Sequence, residues 1–148
     1  YVLRSRRTPF YRTPEKDPVK LHEDGWLEIS PTEGHKHMMR NRVMVKSYEG
    51  LFRTHILSKK RTDVLKDIIK TLRTRGEVYL VRMPTSSEVA EVEDRYFPQF
   101  GEFTDGIARE LGVKFLDLYR TPGVTTKDAD HLTKESAEKV SDLIRSKL

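Results

Sequence analysis

The chain contains no cysteine, and this absence removes several kinds of chemistry at once. Without thiols there can be no disulfide bond, no thiolate-bound metal ion and no cysteine nucleophile. No apolar run approaches the roughly 20 residues that a membrane-spanning helix needs. The basic residues near the start, Arg4, Arg6 and Arg7, are not followed by an apolar stretch, so no signal peptide is predicted there. These absences do not determine the compartment.

Nucleotide-binding signatures are also missing, since the sequence has neither a Gly-x-Gly-x-x-Gly pattern nor a glycine-rich phosphate loop. The 148 residues that are present are enough for one domain with a hydrophobic core. Hydrophobic residues make up 36% of the chain and charged residues 34%, a composition typical of a somewhat polar globular protein. There is no initiator methionine, so we expect a processed or truncated chain.

The charge is unevenly distributed. Residues 1–75 contain 18 Lys and Arg against 9 Asp and Glu, whereas residues 76–148 contain 10 against 14. The arginines of the first twelve residues alternate with Tyr1, Phe10 and Tyr11, a mixture that can contact phosphates and stack on bases. A solvated basic surface without a partner is the interpretation we favour. Contact of this basic arm with an anionic surface or with a neighbouring domain is the alternative, and nucleic acid is the least favoured partner.

The organisation of the sequence changes near residue 56. Residues 1–55 show no clear periodicity and are interrupted by Pro9, Pro14, Pro18 and Pro31. We therefore expect an irregular basic arm and middle segment over residues 1–55, and an α/β part over residues 56–148.

The apolar pattern of residues 56–148 predicts the order helix, strand, helix, strand, loop, helix. Strands separated by helices favour a parallel sheet with right-handed crossovers. Two strands are few for a doubly wound sheet, so the sheet is expected to be incomplete in this chain. The first helix is predicted from the N-cap Ser58 to the C-cap Gly76, and the strands at Val78–Val81 and Val113–Leu118. A helical region follows Ser86 or Ser87 and is interrupted by Pro98. The last helix is capped by Thr133.

The loop before the last helix carries the pattern expected of catalytic chemistry. Asp128 precedes His131 by three residues, so the carboxylate can hold one imidazole nitrogen while the other accepts a proton from a nucleophile. Asp130 is an alternative partner, but adjacent side chains often diverge, and Asp128 is preferred. A loop aspartate that only favours the N-terminus of the following helix is the structural alternative.

Two other patterns are weaker. His35 and His37 have the spacing of a metal-binding pair, yet no third ligand is evident, so no metal site is predicted. Ser86 and Ser87 follow a strand but lack the flanking glycines of a nucleophile elbow, and helix capping explains them. No nucleophile for His131 can be assigned in the sequence.

From Ser58 to Leu148 the sequence resembles the SGNH (GDSL-like) hydrolase superfamily, especially its bacterial envelope branch. The resemblance rests on the order of elements, on the strand that ends Val81-Arg82-Met83-Pro84, and on Asp128-Ala129-Asp130-His131-Leu132-Thr133 before the last helix. It implies a three-layer, flavodoxin-like α/β fold, with His131 as general base and Asp128 as its orienting partner.

The resemblance further implies a serine-type esterase or O-acyltransferase that needs no cofactor and acts on an acyl ester of a carbohydrate or cell-envelope polymer. An envelope or secreted location follows from the same resemblance. The family's serine block and oxyanion donors are not found in these residues, so we expect a C-terminal half of a longer protein. A non-catalytic α/β module that binds an anionic polymer, and an inactive family member, are the rival hypotheses. Nothing in the sequence indicates the oligomeric state.

Overall fold

The computed structural model describes residues 19–23, 27–29 and 35–148. The chain divides into two compact units, Tyr1–Thr32 and Glu33–Leu148. In the first unit, strand β1 (Val19–Leu21) pairs antiparallel with strand β2 (Leu27–Ile29), with Lys20 opposite Glu28. Residues 1–18, which belong to the predicted basic arm, lie outside the described residues.

The second unit begins with a helix where we expected irregular structure. Helix α1 spans His35–Thr54, and the change of organisation in the structure comes after Thr32 rather than near residue 56. No proline occurs between Pro31 and Pro84, so nothing in the backbone prevents a helix here. The apolar residues of α1 do not form a single buried stripe, because Met39, Val43 and Leu51 are exposed. Periodicity is the main sequence signal of a helix, and α1 lacks it.

Helix α2 (Lys59–Arg73) confirms the predicted N-cap, since the Ser58 side chain accepts a hydrogen bond from the Arg61 N–H. The predicted C-cap Gly76 is wrong. The cap is Thr74, whose N–H bonds back to the last turn and whose hydroxyl donates to Thr71 O at 2.8 Å. The helix therefore ends two residues early, because local side-chain and backbone bonds satisfy its final carbonyls before the glycine is reached.

The second unit contains the predicted parallel pair of strands. Strand β3 (Tyr79–Arg82) pairs with strand β4 (Lys114–Asp117), with Leu80 opposite Phe115. Between them run helices α3 (Ser87–Tyr96) and α4 (Phe100–Leu111), which are separated at Pro98 as predicted. Ser86 is the N-cap of α3, and Gly112 ends α4 in the left-handed conformation, with φ of 61°. Helix α5 (Lys134–Arg145) closes the chain and is capped by Thr133.

The fold is thus mixed α/β, mostly helical, with a small two-stranded parallel sheet. One buried cluster joins α2 to α4 through Ile69, Ile107 and Leu111, and Leu80 and Phe103 pack against it. Other buried residues come from α3, α4, α5 and the segment between β4 and α5, and they are Val89, Ala90, Val92, Ala108, Tyr119, Ala129, Ser136 and Val140. Arg82 of β3 contacts both connecting helices. Its guanidinium lies over the rings of Phe100 in α4 and of Tyr119, and it forms an ion pair with Glu93 in α3. None of the described helices has the length and apolar character needed to cross a membrane.

Candidate functional site

Main-chain hydrogen bonds join the two sides of the loop that carries Asp128 and His131. Thr126 and Leu132 form an isolated antiparallel bridge, and the Lys127 N–H donates to His131 O at 2.7 Å. At the base of the loop, the Thr133 N–H donates to Thr125 O, and Thr133 begins α5. These main-chain bonds hold the loop in one conformation, so the side chains between them have defined directions.

Ala129 anchors the tip of this loop. Its side chain is fully buried, its φ is 76°, and its carbonyl accepts a hydrogen bond from the Ser86 N–H at 2.7 Å. A positive φ in a residue with a Cβ costs about 1–3 kcal/mol, and such residues persist only where the surroundings enforce them. Here burial against the start of α3 enforces it. The backbone reversal at Ala129 determines where Asp128 and Asp130 point.

Asp128 holds the His131 ring as the sequence predicts. The His131 Nδ1 lies 2.8 Å from Asp128 Oδ1 and 3.0 Å from Asp128 Oδ2. The main-chain N–H of His131 also donates to Asp128 Oδ1, at 3.0 Å. One carboxylate therefore fixes both the backbone and the ring of His131. It also selects the tautomer with the proton on Nδ1, which leaves Nε2 as the acceptor.

The second ring nitrogen of His131 is available to a substrate or nucleophile. The side chain is 63% exposed, and in the part of the chain that the structure describes every hydrogen bond of the ring is made by Nδ1. An oriented imidazole with a free Nε2 is the geometry of a general base. The structure thus brings the predicted pair together, and its catalytic role remains a prediction.

Asp130, which we placed second, also faces the His131 ring. Its Oδ1 lies 3.0 Å from Nδ1, close enough for an ion pair, and this buried oxygen makes no hydrogen bond of regular geometry with the described residues. We therefore treat the contact as one between charges. Two carboxylates converge on a single nitrogen, with Asp128 as the hydrogen-bond acceptor and Asp130 as a second negative charge.

Tyr48 is the site residue that sequence reasoning missed. From α1, its hydroxyl donates to Asp130 Oδ2 at 2.9 Å, across 82 residues of sequence. Burial, and then the hydrogen bond to Asp130, raise the pKa of Tyr48 to about 12, so the phenol stays protonated and acts as a donor. The one available sequence signal was the spacing of Tyr48 and Phe52, four residues apart, which places two aromatic rings on one face of a helix.

Opposing effects act on the pKa of His131. Partial burial disfavours the charged imidazolium, whereas the hydrogen bond to Asp128 and the charges of Asp128 and Asp130 favour it. The carboxylates together outweigh burial, so the pKa is raised above its usual 6.5. A base with a raised pKa is a stronger proton acceptor. Its ring is neutral, and so able to accept a proton, only at a correspondingly higher pH.

Among the described residues, the side chains of Asp128, Asp130 and His131 are the ones grouped closely enough to bind a cation. Their donor atoms lie within 4.8 Å of one another. Nδ1 already faces both carboxylates, so hydrogen bonding and charge attraction account for the cluster without an ion. His35 and His37 begin α1, and their side chains lie outside the description. The absence of a metal site and of a cofactor therefore stays a prediction.

No serine hydroxyl is placed at Nε2 of His131 among the described residues. Ser86 caps α3, as predicted, by accepting from the Val89 N–H at 3.3 Å. The buried Ser136 bonds to the Thr125 N–H at 2.8 Å, and Ser87 bonds to Glu88. A separate cleft of about 690 Å³ lies among α2, β3 and α4, and the residues that line it do not include His131.

Comparison of the chain with models of protein families, with curated proteins and with solved structures finds no match. The geometry of the Tyr48, Asp128, Asp130 and His131 side chains is therefore the basis for assigning a function.

Proposed function

We propose that this chain carries the base of a serine-type esterase or O-acyltransferase that acts on a carbohydrate or cell-envelope ester. The observation that supports this most is the His131 ring, held at Nδ1 by Asp128 and open at Nε2. The order of elements that resembles SGNH hydrolases gives the reaction class. The nucleophile is proposed to be a serine that these 148 residues do not identify.

In the proposed reaction, Nε2 of His131 takes the proton of the serine hydroxyl as its oxygen attacks the ester carbonyl. The resulting imidazolium then gives this proton to the departing alcohol. Water or an acceptor alcohol, deprotonated by the same nitrogen, releases the acyl group in a second step. The negative charge of Asp128 stabilises the imidazolium in both steps, which is the role of the carboxylate in a Ser-His-Asp triad.

The three-layer, flavodoxin-like sheet is part of the same proposal. It is supported by the parallel pairing of β3 and β4 and by the helices α3 and α4 that connect them. A parallel sheet is normally covered on both faces and seldom has only two strands. Further strands would come from polypeptide that these residues do not include.

The test is the substitution His131→Ala in the native protein, with His55→Ala as the matched control because His55 is an exposed histidine that follows α1 directly. Hydrolysis of p-nitrophenyl acetate and of an acetylated polysaccharide is measured. We expect kcat/KM to fall by roughly a hundredfold or more in His131→Ala, since a general base contributes at least that much. The control should keep full activity.

A fluorophosphonate probe, which reacts covalently with activated serines, gives an independent measurement. We expect labelling of one serine in the native protein and much slower labelling after His131→Ala. Full turnover in His131→Ala would exclude the proposed role of the base. Absence of both labelling and turnover in the native protein would instead favour an inactive relative of the hydrolases.

A second candidate is a module that binds an anionic polymer. It is favoured by exposed basic side chains on α1 and at the start of α2, among them Arg42, Lys46, Lys60 and Arg61. These four make no ion pair with the residues that the structure describes. A polyanion could therefore neutralise them without breaking existing contacts.

A further inference from the structure

Polar contacts connect α1 to the candidate base. The Tyr48 hydroxyl donates to Asp130 Oδ2 at 2.9 Å, and Asp130 Oδ1 lies 3.0 Å from the Nδ1 of His131. The proposed function requires Asp128 and His131 only. Asp130 and Tyr48 are consequently additional polar groups beside the ring, and their role needs a physical explanation.

Asp130 holds its negative charge close to the carboxylate of Asp128. Its side chain is only 19% exposed, and its carboxylate faces the same nitrogen as Asp128 does. The two negative charges repel each other while the ring is neutral, so Asp130 tends to turn towards water. Its Oδ1 has no hydrogen bond. The phenol of Tyr48, bonded to Oδ2, is the contact that opposes this rotation.

Tyr48 is itself held firmly. Its ring stacks on Phe52 at 6.3 Å between centroids, and Phe52 stacks on Tyr96 of α3 at 5.9 Å. An ion pair between Glu49 and Arg95, at 3.2 Å, joins the same two helices. The hydroxyl therefore approaches Asp130 from a fixed support. Its pKa of about 12 keeps the proton in place over the range in which His131 titrates.

We infer that Tyr48 is a positioning residue for His131: by donating to Asp130, it holds a second carboxylate beside Nδ1. The ring is then oriented by two carboxylates, one that accepts its proton and one that acts through charge. The catalytic consequence rests on the proposed function, whereas the effect on the ring is a property of the folded chain.

Among the described residues, three carboxylates act on the charge of His131 or Tyr48. Asp128 and Asp130 face His131 from the loop, and the carboxylate of Glu93 on α3 also acts on Tyr48. Glu93 is paired with Arg82 at 3.1 Å, which moderates its effect. A change in the titration of His131 after removal of the Tyr48 hydroxyl can therefore be traced to Asp130.

The test compares Tyr48→Phe with Tyr96→Phe. Each removes one hydroxyl from the same aromatic stack, but the Tyr96 hydroxyl accepts from Arg53, at 3.1 Å, and does not bond to the loop. The pKa of His131 is measured by NMR from its Cε1–H signal. We expect it to fall in Tyr48→Phe, because Asp130 turns away and its charge no longer stabilises the imidazolium, and to be unchanged in Tyr96→Phe.

A double-mutant cycle with Asp130→Asn identifies the route. If Tyr48 acts through Asp130, Tyr48→Phe has no further effect on the His131 pKa once the charge of Asp130 is gone. An unchanged or raised pKa in Tyr48→Phe would overturn the inference. So would an equal fall in the Asp130→Asn background. Circular dichroism spectra identify a variant that does not fold, and the Tyr96→Phe control shows whether weakening of the stack matters by itself.

Activity gives a second readout that separates this inference from the proposed function. If His131 is the base, we expect Tyr48→Phe to lower kcat by less than the roughly hundredfold that loss of a general base costs, because the base is still present but less well oriented, and KM should change little. The acidic limb of the pH–rate profile should move to lower pH with the His131 pKa. Full turnover in His131→Ala would exclude the proposed function. The pKa of His131 measured by NMR would then still decide whether Tyr48 positions the ring.

Discussion

At the residue scale, His131 links the local structure to stability. Its pKa in the folded chain is raised above 6.5, so folding favours the protonated ring. The stabilisation is therefore fully present below the pKa of the unfolded chain, and it is lost as the pH rises through the higher pKa of the folded chain. The ring is largely exposed, and solvent screening keeps this contribution small.

Asp128→Asn should reduce this pH dependence. The asparagine oxygen can still accept from the His131 main-chain N–H, so the substitution removes mainly the charge. We expect the difference in free energy of unfolding between native protein and variant to be largest below pH 6.5 and to narrow as the pH rises through the His131 pKa. Urea unfolding at a series of pH values measures it. A difference that is constant with pH would contradict a charge effect at His131.

The sequence predicted contact between Asp128 and His131 because both residues lie in one short loop, three positions apart. It did not predict that Asp130 would join them. Adjacent side chains usually diverge, and only the positive φ of Ala129 brings positions 128 and 130 to the same side. That conformation depends on burial of Ala129 beside Ser86, a contact that crosses more than 40 residues of the chain.

At the element scale, α2 offers a comparison between two neighbouring isoleucines. Ile69 is 2% exposed and packs in the core with α4, whereas Ile68 is 50% exposed. We expect Ile69→Ala to cost about 2–5 kcal/mol of unfolding free energy, from lost burial and a cavity. Ile68→Ala should cost roughly 1 kcal/mol or less, because alanine's higher helix propensity offsets a small loss of burial. Equal losses in chemical denaturation would show that the exposed face of α2 is covered.

Element boundaries were predictable where the signal is local. The caps at Ser58, Ser86 and Thr133 each accept a hydrogen bond from a main-chain N–H three residues later. Such bonds need only neighbouring residues, so the sequence shows them. Helix α1 was not predicted, because its contact with α3 depends on Phe52 stacking on a distant ring rather than on an apolar stripe.

At the scale of the whole molecule, the distribution of charge gives a further expectation. If the second candidate function is correct, heparin, used as a model polyanion, binds at low salt and weakens by tenfold or more between about 50 and about 200 mM NaCl. Arg42→Glu combined with Lys46→Glu should reduce the salt dependence. Lys134→Glu, an exposed reversal on α5, is the matched control. No binding at low salt would exclude this candidate.

The two-stranded parallel sheet is the feature of the whole fold that the sequence anticipated best. Helical segments between β-rich runs lead to parallel pairing, and the register of Leu80 with Phe115 places both strands beside α4. Whether this sheet is part of a larger, flavodoxin-like one belongs to the proposed function. Apolar side chains on α2 such as Val64, Ile68 and Leu72 remain half exposed in the described part of the chain.

The sequence by itself determined the N-terminal caps of α2, α3 and α5, the alternation of strands and helices, and the contact between Asp128 and His131. Each depends on residues close together in the chain or on a regular apolar pattern. Only the tertiary structure decided that α1 is a helix packed on α3, and that Tyr48 reaches Asp130 across 82 residues. Contacts of that kind depend on where separate elements meet, and packing of the whole unit, not local propensity, determines this.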